Sequence, residues 1–422
     1  MDIIINKPPV GGTVQAIVSK SAAHRIMIAA ALSGLPLTQN LDGLSLDITA
    51  TKQCLEELLS EDRGDAPASL CCGESGSTLR FLLPVAGALG IDADLHCEGR
   101  LPDRPMGPFL EALGEHGCTV SGRTPKQIRG KLQPGTYHLP GDVSSQYVTG
   151  LLFALPLLEG DSRIEVAGTL QSRPYIDLTL EVLAKAGIRI REHAQEEGAP
   201  KTVFEISGGQ TYALPAEELD HIEGDWSNGA FWIVMDAMNH RMGKERINCT
   251  GLDPASRQGD KAVTELVRRM DAADAAAQTE GGGSGQKAFV EIDVSDIPDL
   301  VPIITAYASG RPAGAVTHIV GAERLRFKES DRLRAVTETL SRIGADITEE
   351  PAGLMIRGTE TLAGGEVTSF GDHRIVMMSA AAACIAQGEI IIRGAEAVNK
   401  SYPGFFEDYQ KLGGEVRVLP EK

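Results

Sequence analysis

The feature that most constrains the fold of this chain is an internal repeat. A helical segment ends at a glycine and is followed by a short β-branched run, and this pattern occurs four times. The four glycines are Gly117, Gly187, Gly344 and Gly414. The first two are 70 residues apart, and so are the last two, while the gap between them has room for two further units. Because a period near 70 fits about six times into the chain, the sequence predicts six related, βα-rich units.

Each unit also contains a second, more apolar helical segment. Such helices are apolar on nearly all sides and belong inside a domain, whereas the amphipathic helices belong on its outside. The six candidates begin near Ser21, Ser77, Ser145, Trp226, Pro298 and Asp372. A chain of 422 residues is too long for one ordinary core, so we expect two domains of three units that meet near residues 222–226. The glycine-rich residues 275–287 are predicted to form a surface loop inside one unit.

Composition excludes several classes of function. The chain has 58 acidic and 40 basic residues, a net charge of −18 and a pI near 5.0, which disfavours general nucleic-acid binding. We expect no secretory signal and no membrane helix, because neither an apolar leader nor an apolar run of roughly 20 residues is present. The seven scattered cysteines are typical of reduced thiols in a cytoplasmic protein. Motifs for ATP, nicotinamide or zinc are missing, so no cofactor and no metal are predicted.

Cations occur repeatedly at the polar starts of the apolar helices. A helix N-terminus presents unpaired N–H groups and about half a positive charge, which favours anions. Lys20, Arg80 and Arg374 each lie at such a start. Any single serine there is more simply explained as an N-cap. An acidic protein with cations at several helix starts is nevertheless predicted to bind small, multiply charged anions.

Four further features fit the same prediction, although the last three have a simpler explanation. Arg104 lies in the proline-rich turn RLPDRPMG, where its guanidinium could bind a carboxylate or phosphate. The charged segment 325–334 could equally be a solvated helix start with local ion pairs. Lys400 could be an ordinary surface lysine, and Asp299 an acid favoured by a helix dipole.

Nine short motifs occur in an order that identifies a family. They are SKSAAHR (19–25), GSTLR (76–80), RP (104–105), SSQ (144–146), SRPY (172–175), IPD (297–299), KESDR (328–332), DHR (372–374) and NKSYP (399–403). With them the chain resembles the EPSP synthases, the 3-phosphoshikimate 1-carboxyvinyltransferases, from Lys20 to about Phe406. The resemblance implies an α/β (α+β) fold of two inside-out barrel domains, each of three βαβαββ repeats, with the active site in the interdomain cleft. The implied domains are residues 1–18 with 225–422, and residues 19–224.

The resemblance also implies a reaction and its substrates. Members of this family transfer the enolpyruvyl group of phosphoenolpyruvate to the 5-hydroxyl of shikimate 3-phosphate and release phosphate, on the route to chorismate and the aromatic amino acids. They are inhibited by glyphosate at the phosphoenolpyruvate site. The implied shikimate 3-phosphate residues are Lys20, Ser21, Arg25, Ser144, Ser145, Gln146, Ser172, Tyr175, Asp299 and Lys328. The implied phosphoenolpyruvate residues are Lys20, Gly76, Arg104, Gln146, Arg332, Arg374 and Lys400.

The reaction needs an acid and a base, because the methylene of phosphoenolpyruvate gains a proton while the acceptor hydroxyl loses one. By resemblance Glu329 is the proton donor, Asp299 the proton acceptor, His373 a residue that tunes Glu329, and Lys20 a further catalytic residue. The chain departs from many relatives, which have Asn at the positions of Glu74 and Arg324. We also expect a monomer.

Two other functions are compatible with parts of the sequence. The first is the enolpyruvyl transferase that acts on UDP-N-acetylglucosamine, which uses a loop cysteine before an Arg-Pro pair. Cys97 precedes Arg104 here, but at a different distance and within a different motif. The second is a non-catalytic anion-binding relative, which the presence of Asp299, Glu329 and Lys20 disfavours.

Overall fold

A computed structural model describes residues 1–37, 44–195, 201–279 and 288–420. The chain divides into two compact units, unit 1 with Met1–Ile17 and Glu223–Lys422, and unit 2 with Val18–Ile222. The boundaries predicted from the sequence differ from these bounds by at most two residues. That each unit is an independent folding domain stays a prediction.

The helices alternate between the two predicted types, apolar and amphipathic. In chain order they are α1 (Lys20–Leu32), α2 (Leu46–Leu58), α3 (Gly76–Leu89), α4 (Gly107–Glu115), α5 (Ser145–Ala154), α6 (Arg173–Lys185), α7 (Trp226–Arg241), α8 (Val263–Thr279), α9 (Val301–Ser309), α10 (Arg332–Arg342), α11 (His373–Ala382) and α12 (Phe405–Lys411). A single 3₁₀ turn, Pro298–Leu300, leads into α9.

The strands are short and mostly lie between the helices. They are β1 (Asp2–Lys7), β2 (Gly12–Gln15), β3 (Ala68–Gly73), β4 (Ala93–Cys97), β5 (Thr119–Ser121), β6 (Lys126–Arg129), β7 (Thr136–Pro140), β8 (Ser162–Ala167), β9 (Ile190–Gln195), β10 (Lys201–Ile206), β11 (Ile247–Thr250), β12 (Phe289–Asp293), β13 (Val316–Val320), β14 (Asp346–Glu350), β15 (Gly353–Arg357), β16 (Gly365–Thr368), β17 (Ile390–Arg393) and β18 (Glu415–Leu419).

The repeat is visible in the sheets. Three four-stranded sheets have the orders β3-β4-β6-β5, β7-β8-β10-β9 and β12-β13-β15-β14. In each, the first two strands are parallel and the last two pairings are antiparallel. Each sheet and its two helices form a βαβαββ unit, because a parallel pair requires a helical crossover and an antiparallel pair a hairpin.

A fourth sheet of the same kind joins the two ends of the chain. Its order is β16-β17-β1-β18, so the N-terminal strand takes the position that the last strand of a unit occupies elsewhere. Ile3 pairs with Ile392 on one side and with Val418 on the other. The remaining two units have fewer strands within the described residues. One consists of the parallel pair β2 and β11 with the helices α7 and α8. In the other, the named elements are the helices α1 and α2.

The apolar helices are buried in both units, as the sequence predicts. In α1 every residue from Ala22 to Ala31 is buried, and in α11 the same holds for His373 to Ala382. Their cores are separate clusters, one in each unit. The amphipathic α10 instead buries one face, with Leu333, Val336 and Leu340 against the core.

Two expectations about the amphipathic helices need correction. The gap between Gly187 and Gly344, in which the sequence left room for two further units, contains one additional amphipathic helix, α8. The sixth such helix is α2, which precedes Gly117. Residues 275–279 belong to α8 and not to a loop, while 280–287 lie outside the described residues. Among the described helices, none is long and apolar enough to cross a membrane.

Candidate active site

The starts of α1 and α6 in unit 2 are joined by one buried arginine. Arg25 is 3% exposed. Its guanidinium donates to the carbonyl oxygens of Ser21, at 2.6 Å, and Tyr175, at 2.9 Å, and its Nε donates to Thr179 Oγ1 at 2.8 Å. Burial lowers the pKa of Arg25 to about 10, because its partners are mostly neutral. The predicted residues Ser21, Arg25 and Tyr175 therefore lie together around a buried positive charge.

The starts of α3 and α5 are joined by Gln146. Its Oε1 accepts from Arg80 Nη1 at 2.7 Å, and its Nε2 donates to Ser77 Oγ at 3.0 Å. Ser144 caps α5, with its Oγ accepting from the Gln146 backbone N–H at 3.3 Å. Ser145, also predicted, is buried in the first turn.

At the starts of α1 and α3, the serines singled out from the sequence, Ser21 and Ser77, are not the N-caps. Ser19 caps α1 and Ser75 caps α3, so Ser21 and Ser77 lie in the first turns. The alternative explanation of these two serines as N-caps is therefore wrong. A buried hydroxyl chain also fixes α1, α2 and α3 relative to one another: His24 Nδ1 to Thr51 Oγ1 at 2.7 Å, and Thr51 Oγ1 to Thr78 Oγ1 at 2.6 Å.

Gly76 lies against two guanidinium groups. A Cβ atom added to it would be 2.7 Å from Arg80 Nη1 and 3.1 Å from Arg104 Nη1. The predicted residues Gly76 and Arg104 are thus neighbours, and Arg80, which the predicted site left out, lies beside both. Glu74 packs against Gly99, where a Cβ atom would come within 2.5 Å of its carboxyl carbon.

Two other predicted residues of unit 2 have distinctive settings. Lys20 Nζ lies 2.9 Å from Asp47 Oδ2, and both side chains are 18% exposed. Ser172 precedes α6 with a φ of 57°, in the left-handed region that serine seldom adopts. Strain of this kind is maintained by the surrounding structure and is common at functional sites.

The centre of the group in unit 1 is Arg332, whose side chain is 1% exposed. It donates to Asp299 Oδ1 at 2.9 Å, to Glu329 Oε2 at 2.7 Å and to Asp372 Oδ2 at 2.9 Å. Burial opposes its charge, but Asp372, Glu329 and Asp299 outweigh burial and raise the pKa of Arg332 above its ordinary value. Arg332 therefore brings Asp299 and Glu329, the predicted base and acid, together around one guanidinium group.

Asp299 is surrounded by cations. Arg374 Nη2 lies 3.1 Å from its Oδ2, and Lys328 Nζ lies 3.6 Å from its Oδ1. Burial alone would raise the pKa of Asp299, but Arg374, Lys328 and Arg332 hold it well below the ordinary value. Asp299 is consequently an ionised carboxylate at neutral pH.

The start of α11 completes this group. Asp372 is fully buried and caps the helix, accepting from the backbone N–H of Arg374 at 2.9 Å and from Ser330 Oγ at 3.0 Å. Burial would raise its pKa, but Arg332 and His373 lower it. His373 is buried, with Nδ1 3.9 Å from Asp372 Oδ1. Lys400 Nζ donates to the carbonyl oxygen of Gly371 at 2.7 Å, beside the same helix start.

The predicted site residues thus form two groups, one in each unit. The unit 2 set contains Lys20, Ser21, Arg25, Gly76, Arg104, Ser144, Ser145, Gln146, Ser172 and Tyr175, together with Arg80. The unit 1 set contains Asp299, Lys328, Glu329, Arg332, His373, Arg374 and Lys400, together with Asp372. Arg80 and Asp372 are not among the site residues that the resemblance implies, but both lie inside its motifs, GSTLR and DHR. Cys97, relevant to the alternative acceptor, is a buried residue at the end of β4.

Helix-start cations, buried carboxylates and an α/β repeat fold together describe an enzyme that acts on small anionic substrates. The family model of EPSP synthase (3-phosphoshikimate 1-carboxyvinyltransferase) matches residues 5–409. The chain therefore belongs to the EPSP synthase family.

Relatives and solved structures agree with this family. The 3-phosphoshikimate 1-carboxyvinyltransferase of Clostridium kluyveri is 41% identical, with 98% of each chain covered. That of Clostridium acetobutylicum is 37% identical, with 94% of each covered. Among solved structures, an EPSP synthase from Acinetobacter baumannii has a TM-score of 0.71 at 22% identity, over 99% of this chain and 100% of that one. This likeness supports the fold.

Proposed function

We propose that this chain transfers the enolpyruvyl group of phosphoenolpyruvate to the 5-hydroxyl of shikimate 3-phosphate, with release of phosphate. The observation that carries the assignment of roles is the pair of carboxylates, Asp299 and Glu329, held by the buried Arg332. Two carboxylates with different neighbours can divide the acid and base roles of such a reaction.

Asp299 is the proposed proton acceptor for the 5-hydroxyl. Its low pKa in the ligand-free protein comes from the charges of Arg374, Lys328 and Arg332. A bound anion that pairs with Arg374 and Lys328 would offset these charges. The pKa of Asp299 would then rise, so that the carboxylate becomes a stronger base when substrates are present.

Glu329 is the proposed donor of the proton to the methylene carbon. It accepts from Arg332, which also binds Asp372, and Asp372 lies beside His373. The proposed influence of His373 on Glu329 would therefore pass through Asp372 and Arg332.

The unit 2 set is proposed to bind shikimate 3-phosphate. Ser21, Ser144, Ser145, Gln146, Ser172 and Tyr175 would supply hydrogen bonds, and Lys20 and Arg25 positive charge. The nitrogens of Arg25 already donate inside unit 2, so we assign it to orienting Ser21 and Tyr175 while its charge attracts the anion.

Phosphoenolpyruvate is proposed to contact Lys20, Gly76, Arg104, Gln146, Arg332, Arg374 and Lys400. A hydrogen bond to a charged group contributes about 1.5–3 kcal/mol, so several such contacts could offset the desolvation of a small polyanion. Since Arg332 is already held by three carboxylates, we assign it mainly to orienting Asp299 and Glu329. Joint use of both sets by one pair of substrates stays a prediction, as do the monomeric state and a cytoplasmic location.

The experiment that tests this function is phosphate release from phosphoenolpyruvate in the presence of each acceptor. We expect phosphate and an enolpyruvyl product with shikimate 3-phosphate, and neither with UDP-N-acetylglucosamine. Release with the nucleotide sugar alone would replace the proposed function with the alternative. Binding of both substrates without any turnover would favour a non-catalytic relative.

A further inference from the structure

A serine and a buried acid stand behind Arg374 in unit 1. Arg374 Nη2 donates to Ser227 Oγ at 3.3 Å, and the same nitrogen lies 3.1 Å from Asp299 Oδ2. Ser227 Oγ in turn donates to Asp260 Oδ2. A hydroxyl that accepts from one partner and donates to another has its direction fixed by both. The three side chains therefore form one hydrogen-bonded line, from Asp260 through Ser227 to Arg374.

Asp260 is held firmly in this position. It belongs to a short 3₁₀ turn, Gly259–Ala262, which directly follows Gln258. Gln258 Oε1 accepts from the backbone N–H of Trp226 at 3.0 Å, and its Nε2 donates to the carbonyl oxygen of Gly224 at 2.8 Å. The turn is thus fastened to the start of α7, on which Ser227 lies.

The burial of Asp260 reduces the stability of the folded protein. It is 3% exposed, and its Oδ1 has no hydrogen-bond partner among the described residues. A buried polar atom without a partner costs about 1–3 kcal/mol. Acids that serve structure alone in this unit are better satisfied: Asp274, for example, receives two nitrogens of Arg311.

We infer that Asp260, acting through Ser227, is a positioning residue that sets the direction and the effective charge of Arg374. This inference rests on the proposed function, in which Arg374 binds phosphoenolpyruvate. It assigns a role to Ser227 and Asp260, which none of the nine motifs includes.

The charge of Asp260 responds to pH in the neutral range. Burial raises its pKa to about 7; Asp299 adds to this, Arg374 opposes it, Ser227 opposes it by hydrogen bonding, and Asp225 at the start of α7 raises it again. Below this pKa Asp260 is neutral, and of these two acids only Asp299 offsets the charge that Arg374 presents to an anion. Above it, the Asp260 carboxylate offsets part of that charge, so the KM for phosphoenolpyruvate should rise with pH.

The test uses four substitutions that separate orientation from charge. Ser227→Ala and Asp260→Ala break the line to Arg374 and should raise the KM for phosphoenolpyruvate about tenfold or more, with a smaller change in kcat. Asp260→Asn keeps an acceptor for Ser227, so its KM should match the wild type below pH 7 and lack the rise above it. Ser227→Thr retains the hydroxyl and should restore the wild-type KM.

A matched control is Ser379→Ala. Ser379 is a fully buried serine on the same helix as Arg374, and its hydroxyl donates to the carbonyl oxygen of Ile375 and not to the Arg374 side chain. The KM of this variant should be unchanged. Because Ser227 and Asp260 act in series, the double alanine variant should resemble either single variant. Lower stability with wild-type KM values and pH profile in all variants would overturn the inference.

Failure of the proposed function can be distinguished from failure of this inference. If the wild type releases no phosphate, the function is wrong, and NMR of the Arg374 guanidinium N–H signals, assigned with Arg374→Lys, decides the inference alone. These signals should shift in Ser227→Ala and stay in place in Ser379→Ala. Equal spectra in both variants would overturn the line from Asp260 to Arg374.

Discussion

Arg25 in unit 2 and Arg332 in unit 1 are both almost fully buried, yet their surroundings are opposite. Arg25 donates to two backbone carbonyls and a threonine, and no carboxylate of the described residues lies within ion-pair distance of it. Arg332 donates to three carboxylates. The pKa of Arg25 is accordingly lowered to about 10, whereas that of Arg332 is raised.

This difference separates two uses of a buried cation. The positive charge of Arg25 is not neutralised by a nearby acid, and an anion bound to unit 2 would neutralise it. The charge of Arg332 is more than balanced, so its main effect is to bring ionised acids close together that would otherwise repel. We therefore expect the buried arginine of unit 2 to serve binding, and that of unit 1 to serve proton transfer.

The largest expected effect is on the acids of unit 1. Asp299→Asn and Glu329→Gln preserve size but remove the titrating group, and each should lower kcat by about 10²–10⁴-fold with much smaller changes in KM. Glu338→Gln is the control, because Glu338 pairs with Arg334 on the exposed face of α10. Steady-state kinetics that show near-normal kcat in Glu329→Gln would remove it as the proton donor.

The second largest effect is expected on the free energy of unfolding when each of the two arginines is replaced. Arg332→Met leaves three carboxylates without their common partner and should reduce the free energy of unfolding by about 3–5 kcal/mol. Arg25→Met leaves neutral acceptors and should cost only about 1–2 kcal/mol. Urea unfolding of both variants measures the difference. Equal losses in the free energy of unfolding would mean that the different surroundings of Arg25 and Arg332 do not affect stability.

Parts of each set were predictable from the sequence. The apolar helices follow from their composition, and their polar starts identified Lys20, Arg80 and Arg374. Their caps were less certain, because serines two residues apart in SKS and SGS are equally good candidates, and tertiary packing selects Ser19 and Ser75.

The remaining contacts join segments that no local pattern connects. Ser227 meets Asp260 across 33 residues, and Arg80 meets Gln146 across 66. The insertion of β1 between β17 and β18 joins the two ends of the chain. Such pairings depend on how the repeats pack, and the 70-residue period gives the number of units without giving these partners.

A third, smaller effect concerns the cations beside Gly76. In Gly76→Ala the new methyl would meet the tips of Arg80 and Arg104, and the Arg80 tip, which donates to Gln146, would have to shift. A shift that costs about 1 kcal/mol, the lower end for overpacking, should raise the KM for phosphoenolpyruvate about fivefold. Glyphosate is longer than phosphoenolpyruvate, so its inhibition constant should rise further.

The control for this variant is Gly107→Ala, where an added Cβ meets nothing within 4 Å and both constants should stay unchanged. Inhibition by glyphosate that does not depend on phosphoenolpyruvate concentration would show that Gly76 and Arg104 do not form its pocket.

The smallest effect concerns the backbone of unit 2 at Ser172. A non-glycine residue in the left-handed region costs about 1–2 kcal/mol, and glycine recovers part of this at the expense of a more flexible unfolded chain. Ser172→Gly should therefore stabilise the protein by about 0.5 kcal/mol, while loss of the hydroxyl raises the KM for shikimate 3-phosphate. Ser172→Ala keeps the strain and should raise the same KM without the gain in stability.

Glu360→Gly provides the comparison in unit 1, since Glu360 has a similar φ of 65° and belongs to neither set. Glu360→Gly also loses the hydrogen bond that Glu360 Oε1 accepts from the Ala313 backbone N–H at 3.3 Å, so its gain in thermal stability should be smaller, with an unchanged KM. If Ser172→Gly stabilises the protein and leaves the KM for shikimate 3-phosphate at the wild-type value, the hydroxyl of Ser172 does not bind this substrate. The strain at Ser172 would then resemble that at Glu360, and the assignment of unit 2 to binding would rest on Arg25, Gln146 and their neighbours alone.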